Sequence, residues 1–448
     1  EIDVIIGPRS ALFTPFPSLG LIVMDEEQEN SYKSESTPKY HARETALEVA
    51  KLYGASVVLG SATPSLEAYY RAGKGEYRMF QLTRRLTGGE LPTVYTVDLR
   101  QELQEGNRSI FSRKLQELMA DRLNKGQQTI LFLNRRGYAG FVSCRSCGEV
   151  MKCPHCDVSL SEHKGGRLIC HYCGYTQPMP KLCPKCGSKY ILGFKAGTQQ
   201  IEEKLKELYP GVRTLRMDAD TTRTKDSYEK ILSSFANGEA DVLIGTQMIV
   251  KGHDFPKVTL VGILAADLSL NASDYRAGER TFQLLTQAVG RAGRGALPGE
   301  AVIQTYQPDH YAITCAAAQD YENFYQEEIL YRELSGYPPV AHMLAVQIYG
   351  KEEENAKQLA LRLTDVVKSN IDFLSGKQKE QSNKKIQVLG PAPANISKIN
   401  DIYRYVFYVK HAEYDVLVEV KDRLEETLRQ WQPRQMSIQF DFDPVSVL

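Results

Sequence analysis

No run of apolar residues in this 448-residue chain approaches the roughly 18 needed for a helix to span a bilayer. No secretory leader pattern opens it either. Surplus charge is also missing, since 55 basic residues balance 55 acidic ones. That excludes a global pull toward nucleic acid and leaves the task to local basic patches. The phosphate-cradling pattern G-x-x-x-x-G-K-[ST] is absent: Gly73-Lys74, Gly350-Lys351 and Gly376-Lys377 run on into Gly, Glu and Gln. Cysteine is scarce outside one stretch, with eight of nine between Cys144 and Cys186. The remaining Cys315 is expected simply to pack. What is left is ordinary globular composition, 42% hydrophobic and 25% charged, with length for about three domains.

The eight clustered cysteines form four Cys-x-x-Cys pairs: Cys144/Cys147, Cys153/Cys156, Cys170/Cys173 and Cys183/Cys186. Such pairs are poorly placed for structural disulfides, whereas paired thiolates suit tetrahedral Zn²⁺, and eight ligands suit two ions. Gly148, Gly174 and Gly187 each follow a second cysteine, as tight knuckle turns require. Spacing leaves the pairing open between a nested and a sequential arrangement. His155, His163 and His171 are expected to stand aside, because the cysteines already fill two sites. From Phe141 to Gln200 eight basic side chains face three acidic ones. That excess shrinks to about one positive charge once eight thiolates and two Zn²⁺ are counted. Architecture, strand separation or partner docking therefore suits this module better than tight phosphate binding.

Elsewhere the chain reads as α/β. Leu19–Met24 is expected to be a parallel strand buried on both faces and Ala55–Leu59 the next buried strand, the first delivering Asp25 and Glu26 to its C-terminal end, where open sheets bind ligands. Ser61-Ala62-Thr63 follows the second. Thr129–Leu133, Asp241–Ile244, Val258–Leu264 and Glu300–Tyr306 read as further strands, Asp241–Ile244 a buried one, and Arg113–Asn124 as a helix stopping at Gly126. A long helical pattern carries Gln287 to Arg291 and Arg294, three apart on what is expected to be one helix face. With glycines between them, these arginines suit the charge on a transferring γ-phosphoryl group; a basic surface turn is the alternative. Tyr32-Lys33 and Lys39-Tyr40-His41-Ala42-Arg43 interleave rings with cations. They can stack on single-stranded DNA or pack a loop onto its own lobe.

From Ala341 the order is strand, helix, strand, strand, helix, strand, a ferredoxin-like split βαβ unit. Met436, Ile438, Phe440 and Phe442 alternate with polar residues, so one sheet face is expected toward solvent or a partner. Phe373–Lys385 is expected to be a mobile loop. Lys398 with Tyr403-Arg404-Tyr405 is a candidate DNA patch, the alternative being an ordinary antiparallel strand with tyrosines at β-favoured positions.

Asp25-Glu26-Glu27-Gln28, Gly60-Ser61-Ala62-Thr63, Thr246-Gln247-Met248-Ile249-Val250-Lys251-Gly252-His253-Asp254-Phe255 and Gln287–Gly295 resemble motifs II, III, V and VI of superfamily 2 helicases. Leu131–Tyr138, followed at once by the cysteine pairs inside a lobe, narrows the resemblance to the primosomal replication-restart helicases, over essentially the whole chain.

The resemblance implies RecA-like lobes, the first incomplete: residues 1–98 for the first, 99–140 with 190–310 for the second. A zinc insertion follows at 141–189, a helical connector at 311–340 and an α+β domain at 341–448. It implies nested zinc sites, one on Cys144, Cys147, Cys183 and Cys186, the other on Cys153, Cys156, Cys170 and Cys173. Asp25 would help hold the Mg²⁺ of MgATP and Glu26 orient water. Gln28, where the family has His, keeps hydrogen bonding but not titration. Gly252 and Asp254 would approach the nucleotide, and Gln287, Arg291 and Arg294 would complete its site. DNA contacts would come from Tyr32, Lys33, Tyr40, Arg43, Thr246 and Lys251.

The implied activity is ATP-dependent 3′→5′ unwinding at forked and single-stranded DNA, with two Zn²⁺ and MgATP. The implied partners are primosome proteins and single-stranded-DNA-binding protein. The chain would act as a monomer, without membrane, in the cytoplasm with the nucleoid. The family carries a phosphate loop ahead of the acidic motif, so a C-terminal piece without ATPase activity of its own is expected. Two alternatives stand beside this reading. One is a non-enzymatic DNA or primosome scaffold; the other is a different superfamily 2 translocase, which leaves four cysteine pairs unexplained.

Overall fold

The computed structural model describes residues 2–445 apart from 83–90, 134–141, 156–157, 164–165, 171–172, 193–196, 219–220, 223–224, 251–254, 273, 296 and 370–384. The chain divides into two compact units. One comprises Glu1–Met79, Ile329–Leu448 and the short segment His171–Gly174; the other comprises Phe80–Cys170 and Tyr175–Glu328.

The Phe80–Glu328 unit is built on a parallel sheet in the order Thr214–Met217, Val242–Gly245, Gln128–Leu133, Val258–Leu264, Glu300–Thr305, Thr93–Asp98. Its central strands are buried along their whole length, as aliphatic side chains on both faces demand. Ile130, Phe132, Leu243, Val261 and Ile303 pack on one face with Phe282, Leu285 and Phe324. Leu131, Leu133, Ile244, Leu260 and Val302 pack on the other with Leu115, Met119 and Leu205. Each such side chain contributes about 1.5–3 kcal/mol on burial. Helix Arg113–Asn124 starts where the Ser112 hydroxyl accepts from the Leu115 amide, a cap of about 1 kcal/mol.

One boundary differs from the sequence expectation. Thr93–Asp98, assigned above to the first lobe, pairs along its length with Glu300–Thr305 and so edges the second sheet. Its side chains are only half covered. An edge strand therefore lacks the continuous apolar signature of its neighbours, although the Tyr95 hydroxyl ties it to Glu300 at 2.9 Å. The turn-rich stretch Thr87–Pro92 is expected to be the joint between the lobes; of it, residues 87–90 lie outside the described residues.

The cysteine module leaves this sheet after Gln128–Leu133. Its ends close on each other, Ser143 opposite Leu192 and Cys144 opposite Ile191. A small antiparallel sheet of Ser161–His163, Arg167–Ile169 and Thr176–Pro178 stands between them. Further on, helix Tyr311–Ala318 packs into the sheet's core through Ala312, Ile313 and Ala316.

In the other unit, parallel strands Leu21–Met24 and Ser56–Leu59 are joined by helix Ala42–Tyr53, whose Gly54 cap takes the left-handed conformation at φ 67°. Contrary to the expected burial, Leu21, Val23 and Val58 are exposed, because the helix covers only the face of Ile22, Met24, Val57 and Leu59. The C-terminal sheet runs Gln387–Ile399, Ile402–His411, His342–Gly350, Met436–Phe442, every neighbour antiparallel. That is the strand order of a ferredoxin-like unit. Asn400 and Asp401, at φ 48° and 60°, make the two-residue turn between Ile399 and Ile402. Helices Glu353–Ser369 and Tyr414–Trp431 cover one face through Leu359, Leu363, Val416, Val420 and Leu424.

The opposite face, expected toward solvent or a partner, is occupied within the same unit. Gln347, Lys410 and Asp441 are all buried there. Lys410 donates to the Ser335 carbonyl at 2.7 Å, and Lys33 and Lys39 reach Asp441 and Gln347. Of the loop Phe373–Lys385, all but Lys385 lies outside the described residues.

Candidate functional site

Two thiol groups gather in the cysteine module. The Sγ atoms of Cys144, Cys147, Cys183 and Cys186 lie within 4.8 Å of one another, as do those of Cys153, Cys170 and Cys173. Cys156 lies outside the described residues. Cys144–Cys186 and Cys147–Cys183 are each separated by 3.6 Å. That is too far for a disulfide bond of about 2.05 Å. It is close to the ~3.8 Å edge that four Zn–S bonds of about 2.3 Å would define. The donor set thus fits a tetrahedral soft-metal site, and the grouping is nested rather than sequential.

Backbone geometry explains why these sulfurs converge. The Cys144 amide donates to the Glu149 carbonyl at 2.8 Å and the Cys183 amide to Ser188 at 2.8 Å, closing two matching knuckles. Gly148 and Gly187 sit at φ 78° and 70°, which an L side chain adopts only under strain. Burial pushes the Cys144 thiol up, but the amides of Cys147 and Ser146 outweigh it and bring it down to about 7.

The knuckle is also fitted to its lobe. A Cβ on Gly148 would stand 2.6 Å from the Tyr306 carbonyl oxygen, and the Arg145 guanidinium lies 5.1 Å from the Tyr306 ring centroid. Asp267, fully buried, accepts from the Tyr306 amide and, at 2.8 Å, from the Thr305 hydroxyl. Nothing in the cysteine spacing pointed to Asp267 or Tyr306. His155 stands aside from the thiols, its ring edge-on to Tyr175.

At the end of strand Leu21–Met24 the acidic motif is built from side chains of very different exposure. Glu26 takes φ 48°, a strained turn for a non-glycine residue. Its carboxylate accepts from Gln28 Nε2 at 2.6 Å, while Gln28 Oε1 accepts from the Ser61 hydroxyl at 2.6 Å. Gln28 therefore bridges the acidic motif to Ser61-Ala62-Thr63, and the Thr63 amide in turn donates to Ser61 Oγ. An amide does this at any pH.

Glu27, 2% exposed, accepts from the Ser65 amide at 2.6 Å and from Arg43 Nη1 at 3.0 Å. Ser65 caps helix Leu66–Gly73. Sequence reasoning passed over Glu27 because a third acidic residue in a run carries no separate signal.

The residues proposed for DNA contact are placed differently from expectation. Arg43, 4% exposed, is spent on Glu27, Glu44 and Ser65. Lys33 is spent on Asp441 and the Phe442 carbonyl. Tyr32 donates to the Asp25 carbonyl at 2.8 Å, and Tyr40 meets Phe13 edge-on at 5.2 Å between ring centroids. The packing alternative describes this stretch, because cations at these positions find acidic partners in the fold. His41 is pushed down to about 3 by burial and by Arg43, so its neutral Nδ1 accepts from the Arg43 amide.

In the other unit, helix Ala277–Val289 ends before the arginines. Arg291 and Arg294 lie in the turns beyond it rather than on a helix face, and Arg294 Nε donates to the Gly290 carbonyl at 2.9 Å. The turn is pinned by the Gly293 amide on the Val258 carbonyl, and Cβ atoms on Gly293 or Gly299 would collide with each other's backbone within 2.7 Å. Gly293 thus lets the backbone of Gly299 lie directly against it. Gln287 is half-buried on the last turn of the helix. Arg276 and Arg280 are held by Glu279 and Asp274. Thr246 follows strand Val242–Gly245 at the sheet's C-terminal edge. Lys251, Gly252 and Asp254 lie outside the described residues.

Family models match three stretches: the primosomal protein N C-terminal domain over residues 333–445, the PriA DNA helicase Cys-rich region over 153–178, and the helicase conserved C-terminal domain over 182–296. The replication restart protein PriA of Bacillus subtilis is 45% identical over 450 residues, covering 100% of this chain. The chain belongs to the PriA family.

PriA of Synechocystis is 42% identical over 99% of the chain, and that of Chlamydia pneumoniae 42% over 100%. The chain spans about half the length of these PriA relatives, 54%, 53% and 58% respectively. Among solved structures, the Mycobacterium smegmatis helicase Lhr aligns with 70% of this chain and 32% of its own at 14% identity and a TM-score of 0.37, too distant a likeness to add to the fold. Among the described residues no helix is long and apolar enough to cross a membrane.

Proposed function

We propose that this chain provides the coupling motifs, zinc module and C-terminal domain of an ATP-driven 3′→5′ DNA helicase that acts on abandoned replication forks and starts primosome assembly. The observation that carries the reading is the nested thiol set, grown out of a parallel α/β sheet and matched by the PriA Cys-rich region. In this reading two Zn²⁺ ions hold the module's knuckles and contribute no chemistry to hydrolysis. Asp25 helps bind MgATP, and Glu26, aimed by Gln28, orients the attacking water. Arg291 and Arg294 counter the charge that develops on the γ-phosphoryl group. Closure around ATP and opening after hydrolysis step the motor along one strand. DNA, primosome proteins and single-stranded-DNA-binding protein are its partners, at the nucleoid and as a monomer.

Fork unwinding and DNA-stimulated ATP hydrolysis by the whole gene product test this. Arg294→Ala, exposed at a turn, is expected to leave stability within about 0.5 kcal/mol while lowering kcat on the order of 10³-fold. A whole protein that binds forks but hydrolyses no ATP in their presence would instead establish the scaffold.

A further inference from the structure

The loop that leaves the acidic motif is gripped from the far end of the chain. Tyr32 donates to the Asp25 carbonyl, and from the next residue the chain folds into a closed turn. Lys33 bridges to His41, and the Ser34 amide donates to the Tyr40 carbonyl at 2.8 Å. Two ammonium groups project from this turn onto the C-terminal sheet. Lys33 Nζ donates to the Phe442 carbonyl at 2.7 Å and lies 2.8 Å from Asp441 Oδ1, off the line of a good hydrogen bond. Lys39 Nζ donates to Gln347 Oε1 at 2.8 Å and lies 4.0 Å from Asp441 Oδ2. The Tyr349 hydroxyl donates to the same Gln347 oxygen at 2.7 Å. The three charged side chains are 7%, 6% and 9% exposed for Lys33, Lys39 and Asp441.

We infer that Asp441 and Gln347 are positioning residues for the acidic motif, holding the Lys33–Lys39 turn and, through Tyr32, the backbone of Asp25. The inference rests on the ATP-driven reading above. Two nearly dry ammonium groups share one carboxylate, an arrangement that survives only while the carboxylate is charged. Without it, the turn lifts into water rather than keep both cations buried. Whatever displaces the C-terminal sheet is thereby felt at the motif that binds nucleotide, with a coupling of the size that long contact chains carry.

The test uses the whole gene product with Asp441→Asn, Asp441→Glu and Lys39→Met. Asp441→Asn is expected to cut the ratio of DNA-stimulated to DNA-free ATPase by about tenfold, with KM for ATP within about twofold. Asp441→Glu recovers most of the ratio. Lys39→Met, which leaves the Lys33 pair intact, loses less. Hydrogen exchange supplies a readout without catalysis: amides of residues 33–41 exchange faster in Asp441→Asn, while those of strand Ile402–His411 do not. An unchanged ratio with unchanged exchange overturns the inference. So does a parallel fall of both rates, which marks general destabilisation. If the wild-type protein hydrolyses no ATP with DNA, the proposed function fails, and exchange alone still decides whether Asp441 holds the turn.

Discussion

The cysteine module and the turn after the acidic motif are both dense in residues that advertise chemistry, yet the fold uses them in opposite ways. In the module, cysteines up to 42 positions apart converge on shared centres. In the turn, Lys33 and Arg43 are consumed by Asp441 and Glu27, and no cation of that pair faces outward. The difference lies in what each residue type needs. A thiolate at Cys-x-x-Cys spacing is completed by another thiolate pair, and the sequence displays all of them. A lysine or arginine is completed by any buried carboxylate, and that partner can sit 408 residues away, as Asp441 does from Lys33.

The sharpest way to break the comparison is to remove a member of each set. Cys144→Ser and Cys153→Ser should each lower bound zinc from two per chain to about one, measured on chelator-washed protein, and unfold the module around the lost ion. Structural zinc carries about 10–16 kcal/mol of apparent binding energy in small modules. Loss of both ions from either variant would mean one shared cluster rather than two nested sites. In the turn region the corresponding break is Glu27→Ala, which takes from the buried Arg43 guanidinium and the Ser65 amide the carboxylate they share. About 3–5 kcal/mol of stability should go, read from urea denaturation. A loss below about 1 kcal/mol would mean that Arg43 finds solvent instead.

A finer cut separates folding of the knuckles from their docking. Gly148→Ala and Gly187→Ala impose the same left-handed strain, of about 1–2 kcal/mol. At Gly187 the new methyl meets nothing within 4 Å, whereas at Gly148 it meets the Tyr306 carbonyl at 2.6 Å. Gly148→Ala should therefore cost at least about 1 kcal/mol more. Equal losses in thermal unfolding would show that the knuckle does not rest on Tyr306.

Much of the fold was legible because its signals are local. The buried strands Val242–Gly245 and Val258–Leu264 are continuous aliphatic runs, and the C-terminal order of elements fixes its strand order once hairpin and crossover rules are applied. Thr93–Asp98 was misassigned because an edge strand buries only part of one face. Arg291 and Arg294 were read onto a helix because Ala288 and Val289 continue the pattern, but the chain turns at Gly290, where glycine's conformational entropy ends a helix cheaply. Among candidate site residues, the cysteines announced themselves. Glu27, Asp267 and Asp441 did not, because a buried carboxylate looks like a surface one until its partner is known.

The smallest effect expected comes from a second long-range pair on the same sheet, that of His342 with Asp443. His342 Nδ1 lies 2.8 Å from Asp443 Oδ2, with Glu44, Arg71 and the Tyr414 ring also facing it. Burial pulls the imidazole's pKa down, but the Asp443 hydrogen bond and charge outweigh it, and the net shift is upward. A group raised in the folded state stabilises fully below its unfolded value, about 6.5 for histidine, and that stabilisation drains away as pH rises through the folded value. The wild-type chain should therefore lose urea resistance between pH 6 and 8 by more than His342→Gln does, by an amount smaller than the Glu27→Ala loss. Parallel pH profiles would mean that the Asp443 contact persists with a neutral ring, and the sheet edge would then owe nothing to charge.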